Sequence, residues 1–239
     1  GMLWVRPTVG NSFTEADVMG GLSGEFENWL KHEHLFTEAQ VIEADINWKL
    51  AIDTFGENYH FDVLHKSSLA NDIVGNLQTW DRFERNGRMV FAGKEAFQYL
   101  HEQEIPIEKW PYRDITLNVY FFYPNCIFLV DRAGIDILKM YPDPEDPAKS
   151  KTHHSYYMRP ELLDHLQQEG RNTLEESRFV GFNKIVVDED YAAATSVQAG
   201  AVSGAQDHFV FGKNEPALQH YHSSHREALG LAPLEALMN

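Results

Sequence analysis

The chain has 239 residues, enough for one large domain or two small ones, and 43% of them are hydrophobic, enough to build a core. Charged residues at 23% argue against disorder, and a formal net charge of −16 repels a nucleic-acid backbone, so no DNA or RNA partner is expected. The single cysteine, Cys126, excludes an internal disulfide and any two-cysteine metal cluster; no run approaches the roughly 18 apolar residues of a membrane span, so a cytoplasmic protein with no membrane partner is expected.

Gly1 ahead of Met2 reads as a tag remnant, and Leu3 to Arg6 as a short strand that starts in mid-structure. Phe13 to Leu30 has helical periodicity, weakened by Gly20, Gly21 and Gly24. Leu35 to Ile46 reads as a strand, and Asn47 to Phe55 as a helix with Trp48, Ala51, Ile52 and Phe55 on one buried face. Arg82 to Phe91 reads as a hairpin in which Asn86-Gly87 supplies the positive φ angles of a type I′ turn. Strands are expected at Ile115–Tyr123, Cys126–Arg132, Ile135–Tyr141 and Thr152–Arg159, with the proline-rich Tyr141–Ala148 stretch as a turn rather than a linker. Pro160 opens a helix over Glu161–Gln168, Asn172 to Ala194 is mostly helical, and Glu215 to Leu229 is the last helix. Strands grouped in the middle with helices on both sides predict an α+β fold, an antiparallel sheet packed on helices, in a single domain over 1–239.

Twelve histidines invite a search for ligands. His32, His34, His101 and His165 sit among charged residues and read as surface. His153 and His154 are neighbours in a strand and point to opposite faces, so they cannot chelate one ion together. The run Glu57-Asn-Tyr-His60-Phe-Asp-Val-Leu-His65 is different. On an ideal helix an i,i+5 pair diverges by about 140°, so His60 and His65 meet at one metal only if the helix loosens between them; an ordinary buried or capping role is the alternative. His222 and His225, three apart on the last helix, form a weaker cluster with only Glu227 as a carboxylate at a matching turn. Cys126 lies in the apolar run Cys-Ile-Phe-Leu-Val, the setting of a small core residue. There is no Gly-x-Ser-x-Gly elbow and no glycine-rich phosphate cradle.

Asn47-Trp-Lys-Leu-Ala-Ile-Asp-Thr-Phe-Gly-Glu57-Asn-Tyr-His60-Phe-Asp-Val-Leu-His65 resembles a signature of the catalytic domain in the α subunit of Rieske non-haem iron ring-hydroxylating oxygenases. Val187-Asp-Glu-Asp190-Tyr-Ala-Ala-Ala-Thr-Ser-Val-Gln198-Ala-Gly200 resembles the family's second signature, in the same order along the chain. Leu3-Trp-Val-Arg-Pro7 resembles the exit segment of the family's Rieske domain, so residues 1–10 would be the end of a domain that these 239 residues lack. The resemblance implies a helix-grip α+β fold, like START and Bet v 1 proteins, in which the sheet wraps a long C-terminal helix over a ligand cavity. It implies Fe(II) held by His60, His65 and Asp190, with Glu57 as the acidic link to the Rieske cluster of a neighbouring subunit. The implied reaction is O2-dependent hydroxylation of an aromatic or other hydrophobic small molecule, in a head-to-tail homotrimer. Electrons would come from a ferredoxin and reductase through a Rieske [2Fe–2S] centre on another domain or chain, since one cysteine cannot supply that cluster's ligands. Asp53, where the family usually has Asn, is a departure: a carboxylate near the iron or a helix-surface charge. The alternative from another class is a non-catalytic helix-grip module that binds a hydrophobic ligand.

Overall fold

The structure, a computed structural model, describes residues 3–5, 9–10, 12–30, 33–94, 101, 105–169 and 178–235. Seven antiparallel strands form one sheet: β1 (Leu35–Ala44), β2 (Ile73–Phe83), β3 (Asn86–Gly93), β4 (Thr116–Phe122), β5 (Cys126–Val130), β6 (Gly134–Pro142) and β7 (Ser150–Met158). Their order is β1-β7-β6-β5-β4-β3-β2. β2 to β7 are a simple meander, while β1 and β2 stand at opposite edges. The chain between them therefore has to cross the whole sheet, and that crossing segment carries Glu57, His60 and His65.

Alternation within the central strands assigns the two faces. Val119, Phe121, Ile127 and Leu129 belong to one core cluster, and Tyr120, Phe122, Phe128 and Val130 to the other. Both faces are covered, which is why Val119–Phe122 of β4 and all of β5 read as apolar runs. The second face is closed by α1 (Glu15–Met19) and α2 (Ser23–Leu30), where the Phe26 ring meets Tyr120, Phe122 and Phe128 edge-on at 4.9, 4.9 and 5.4 Å. α1 starts on a capping box between Thr14 and Asp17, and the expected single helix breaks at Gly20, whose φ is +56°.

The first face receives α3 (Trp48–Asp53), the short α4 (Tyr112–Ile115) at its rim, and a long helical run. That run comprises α6 (Arg178–Ile185), a π turn (Val186–Tyr191) and α7 (Ala192–Val202). This is the helix the sheet grips. α5 (Pro160–Gln168) precedes it, and α8 (Pro216–Ala228) follows it and packs beside α3. Asn47 caps α3 by accepting from Lys49 N at 2.9 Å, and its own backbone N–H donates to Gln198 Oε1 at 2.9 Å. The two sequence signatures thus touch through the Asn47 backbone and the Gln198 side chain, neither of them among the candidate metal ligands.

Three expectations change. Leu3–Val5 form no strand, because they pair with neither sheet edge, and Arg6 lies outside the described residues. Residues 172–177 of the long helix also lie outside them; the described part runs on to Val202. The hairpin turn is Glu84–Arg85, with Glu84 at φ +57°, and not Asn86-Gly87. Asn86 is instead a buried bracket: it donates to Val18 O at 2.8 Å and accepts from Tyr123 N at 3.0 Å. Gly87 is in the strand because the Trp80 ring lies over it; a Cβ there would sit 2.0 Å from Trp80 Cη2.

α8 carries the other histidine cluster, which does not converge on a common point. His222 Nε2 pairs with Asp53 at 2.8 Å and stacks on Phe211. Asp53 is thus a half-buried anchor for α8 rather than a surface charge. Burial raises its pKa, an effect opposed by His222. His225 packs among Trp48, Tyr123 and Tyr221. Burial, and then the charges of Lys49 and His222, pull it down to about 4 from 6.5.

Two predictions follow from this packing. Gly87→Ala should cost about 1–3 kcal/mol by overpacking against Trp80, read from the urea midpoint; a neutral result would mean that the Trp80 ring yields to a Cβ at no cost and does not dictate the glycine. His225 binds a proton more weakly in the folded than in the unfolded chain, so stability should fall as pH drops from 6.5 to about 4. For this half-buried ring the loss is about 1–2 kcal/mol after screening. His225→Gln should flatten that part of the stability–pH curve, and an unchanged slope would exclude His225 as its source.

Candidate metal centre and its cavity

After α3 the chain does not continue as a helix. Residues 54–68 form consecutive turns, with Leu64 N donating to His60 O at 2.7 Å and His65 N to Phe61 O at 3.1 Å. Gly56 permits the change of direction beneath α8, since a Cβ there would stand 2.2 Å from a Leu218 methyl. Asn58 pins the loop to β2 through Leu77 O at 3.2 Å, and Tyr59 ties it to Glu215, which precedes α8, at 2.5 Å. The loosening that an i,i+5 histidine pair needs is therefore present, and the two rings come together with Nε2 atoms 3.1 Å apart.

Asp190 arrives from the long helix, and the π turn decides where it points. In an α-helix Asp190 would be about 140° away from Ile185, five residues earlier. In a π turn the i and i+5 positions fall on nearly the same face. Asp190 Oδ1 accordingly lies 3.1 Å from His65 Nε2 and 3.6 Å from His60 Nε2. The turn is anchored to the sheet by Tyr191 OH and Thr152 Oγ1 at 2.7 Å.

Each imidazole has its own carboxylate on the far side. Glu57 accepts from the backbone N–H of His60 at 3.2 Å and from His60 Nδ1. Glu189 accepts from His65 Nδ1 at 2.6 Å and from Ser68 Oγ at 2.8 Å. With Nδ1–H donated outward, both Nε2 lone pairs face Asp190. The three ligand atoms lie within 4.8 Å of one another, the one such group of three found among the described residues. Three perpendicular donors about 2.1 Å from one ion would stand about 3.0 Å apart, close to the edges observed, so this donor set fits a divalent ion of the Fe(II) class. The electrostatics point the same way. Burial opposes charge on His60, yet Asp190 and Glu57 outweigh it and push the ring up to about 9; His65 is likewise raised by Asp190 and Glu189 against burial. The site attracts positive charge. Cys126, by contrast, is pushed up to about 12 by burial and offers no thiolate.

A cavity of about 840 Å³ opens beside these residues. Phe61, Phe91, Leu129, Phe182 and Ile185 make an apolar wall, and Asp131, Arg132 and Arg178 also line it. Two of these begin a chain of polar groups that runs from the cavity wall to the buried Asp136 and His154. Asp131 pairs with Arg178, Arg178 Nη2 lies 3.3 Å from Asp136, Asp136 Oδ1 lies 2.8 Å from His154 Nε2, and His154 Nδ1 lies 2.8 Å from Asn183 Oδ1.

The residue run around His60 and His65 signalled part of this site, but Glu189, Ser68 and the π turn were missed. The one available signal was the acidic run Asp188-Glu189-Asp190, which does not say which acid points where. The Asp136–His154 pair had no signal at all, since its partners meet only through the β6–β7 pairing.

Comparison with known proteins identifies the fold and the family. The family model for the ring-hydroxylating alpha subunit (catalytic domain) matches residues 26–231. No curated protein matches the chain in sequence. Among solved structures, the quaternary ammonium Rieske monooxygenase CntA is 14% identical with a TM-score of 0.62, over 89% of this chain and 55% of that one. Naphthalene 1,2-dioxygenase from Rhodococcus sp. is 13% identical with a TM-score of 0.59, over 90% and 62%. Dicamba monooxygenase is 10% identical with a TM-score of 0.51, over 82% and 60%. At these identities the likeness is one of fold, the α+β helix-grip domain, and the chain spans less than two thirds of the length of each. With the family model matching most of its length, the chain belongs to the catalytic domains of ring-hydroxylating oxygenase α subunits.

Proposed function

We propose that His60, His65 and Asp190 hold Fe(II), and that the domain hydroxylates an aromatic or other hydrophobic small molecule with O2. The observation that carries this reading is the pairing of each imidazole Nδ1 with its own carboxylate, which aims both Nε2 atoms at Asp190. A cavity that merely stores an apolar ligand has no use for two imidazoles and three acids at its wall. Bound Fe(II) would supply the redox chemistry that activates O2. The chain's own residues do the rest. Glu57 and Glu189 retain the Nδ1 protons and fix the ring orientations. Phe61, Phe91 and Phe182 exclude water and hold an apolar substrate against the ligand face.

Electrons would enter from a Rieske [2Fe–2S] centre on another domain or chain, fed by a ferredoxin and reductase. Glu57, 13% exposed and bonded to His60, is the link in that path. A head-to-tail homotrimer would bring the neighbouring subunit's cluster to it.

Anaerobic equilibrium dialysis tests the site: one Fe(II) per chain is expected for the wild type and none for His65→Ala or Asp190→Ala. Glu189→Ala should weaken binding about 10–100-fold, and full affinity in all three variants would sink the assignment. Turnover tests the electron path. The Fe(II)-loaded 239-residue chain should give no sustained NADH-driven product with reductase and ferredoxin until a Rieske protein is added. Peroxide, which brings its oxygen already reduced, should yield product without either. Sustained NADH-driven turnover without a Rieske protein would refute the proposed route.

A further inference from the structure

We propose that the substrate is an elongated amphipathic monoanion, with its reacting carbon at the histidine pair and a carboxylate-class group at Arg132. This rests on the reading of His60, His65 and Asp190 as the reacting end. The cavity, at about 840 Å³, lies in the upper part of the range for small-molecule sites, roughly 300–1,000 Å³, and its lining extends along the helix beside it. The helix beside it is the ruler. Arg178, Gly181, Phe182, Ile185 and Asp190 all line the cavity, and twelve residues separate the first from the last. At 1.5 Å per residue the two ends stand roughly 16–18 Å apart, a little less across the π turn. A single ring at the histidines would leave most of that length unfilled.

Polarity changes along the same axis. The middle is apolar, contributed by Phe182, Leu117, Val119 and Leu129, whereas the Arg178 end carries Asp114, Thr116, Asp131 and Arg132. Charges there are largely committed. Arg178 is held between Asp131 and Asp136. Asp131 Oδ1 also accepts the backbone N–H groups of Ala133 and Gly134 at 2.8 and 3.2 Å. Asp114 faces Arg159 at 3.9 Å. Arg132 is the exception: exposed, adjacent to Asp131, and with no side-chain partner among the described residues. Arg113, next in sequence to Asp114, turns away from the cavity and lies over the Trp29 ring on the second face of the sheet. Among the described residues, Arg132 is therefore the guanidinium of the cavity lining that has no carboxylate partner, in a chain of net charge −16. A carboxylate suits it, because a guanidinium fork receives one bidentately and an exposed rim demands little desolvation.

Binding of ω-phenylalkanoates of increasing chain length, with the alcohols and amines of equal length, tests the proposal by calorimetry. The full chain is used anaerobically with Fe(II) and again after chelation. Affinity should rise roughly three- to fourfold per methylene until the cavity is spanned, then level off. Acids should bind about tenfold more tightly than alcohols, a preference reduced at high salt. Arg132→Gln should bring acids and alcohols within about twofold while leaving the alcohol series unchanged, and Arg132→Lys should keep part of the preference. Amines or alcohols binding as tightly as acids, an acid preference unaffected in Arg132→Gln, or benzoate binding as tightly as the long acids would each overturn it. Because ligand binding is also read without metal, these outcomes are independent of Fe(II) binding. Lost metal with intact acid preference would count against the metal reading alone.

Discussion

Two imidazole nitrogens held 3.1 Å apart, lone pair facing lone pair, make an unfavourable contact unless a cation lies between them or a proton is shared. Much of the domain is arranged to enforce that contact. Glu57 and Glu189 take the Nδ1 protons on the outer sides of the rings, and Asp190 adds a third donor where the Nε2 atoms converge. Each requirement falls on a different part of the chain. The histidines need a segment that abandons helical geometry after Asp53; Asp190 and Glu189, adjacent in sequence, must both reach His65 from one helix. A regular α-helix separates neighbours by about 100°. The π turn at Val186–Tyr191 relaxes that angle and lets one acid meet Nδ1 while the next meets Nε2.

The sheet order supplies the stage. With β1 and β2 at opposite edges, the segment from Asp45 to Asp72 must cross the sheet on the face where the long helix lies. It is pinned at its start by Asn47 to Gln198, in its middle by Asn58 to β2 and Tyr59 to Glu215, and on its helix side by Asp53 to His222. These contacts are spread over α3, α7 and α8, so the position of His60 and His65 depends on packing far from the ligand atoms. The second face of the sheet, filled around Phe26, needs no such precision and serves as the rigid backing.

The cavity shows the same division. Its apolar walls come from alternate residues of β3, β4 and β5 and from one side of α6, a pattern set by period two against period 3.6. Its polar end rests on the Asp131–Arg178–Asp136–His154 chain, in which Asp136 and His154 are fully buried and paired. Burying such groups is costly unless every partner is present, so this end of the cavity is fixed in place, and Arg132, without a side-chain partner among the described residues, stands out against the committed Arg178.

The sequence by itself determined the α+β class, the central strands to within two residues, the helix that starts at Asn47 and the weakness of the glycine-containing helix before Leu30. These depend on local propensity and on periodicity within a few residues. It also marked Glu57, His60 and His65 as an unusual run, and similarity to a known signature pointed to Asp190. Only the tertiary structure decided what depended on distant partners. Asn86-Gly87, a strong local turn signal, became a strand because Asn86 brackets Val18 and Tyr123 and Trp80 covers Gly87. Asp53 proved to be the partner of His222, and Glu189 the partner of His65, across 169 and 124 residues of chain. The π turn has no composition of its own; it exists because Asp190, Glu189 and Tyr191 each find their partners only when one turn of the helix is widened.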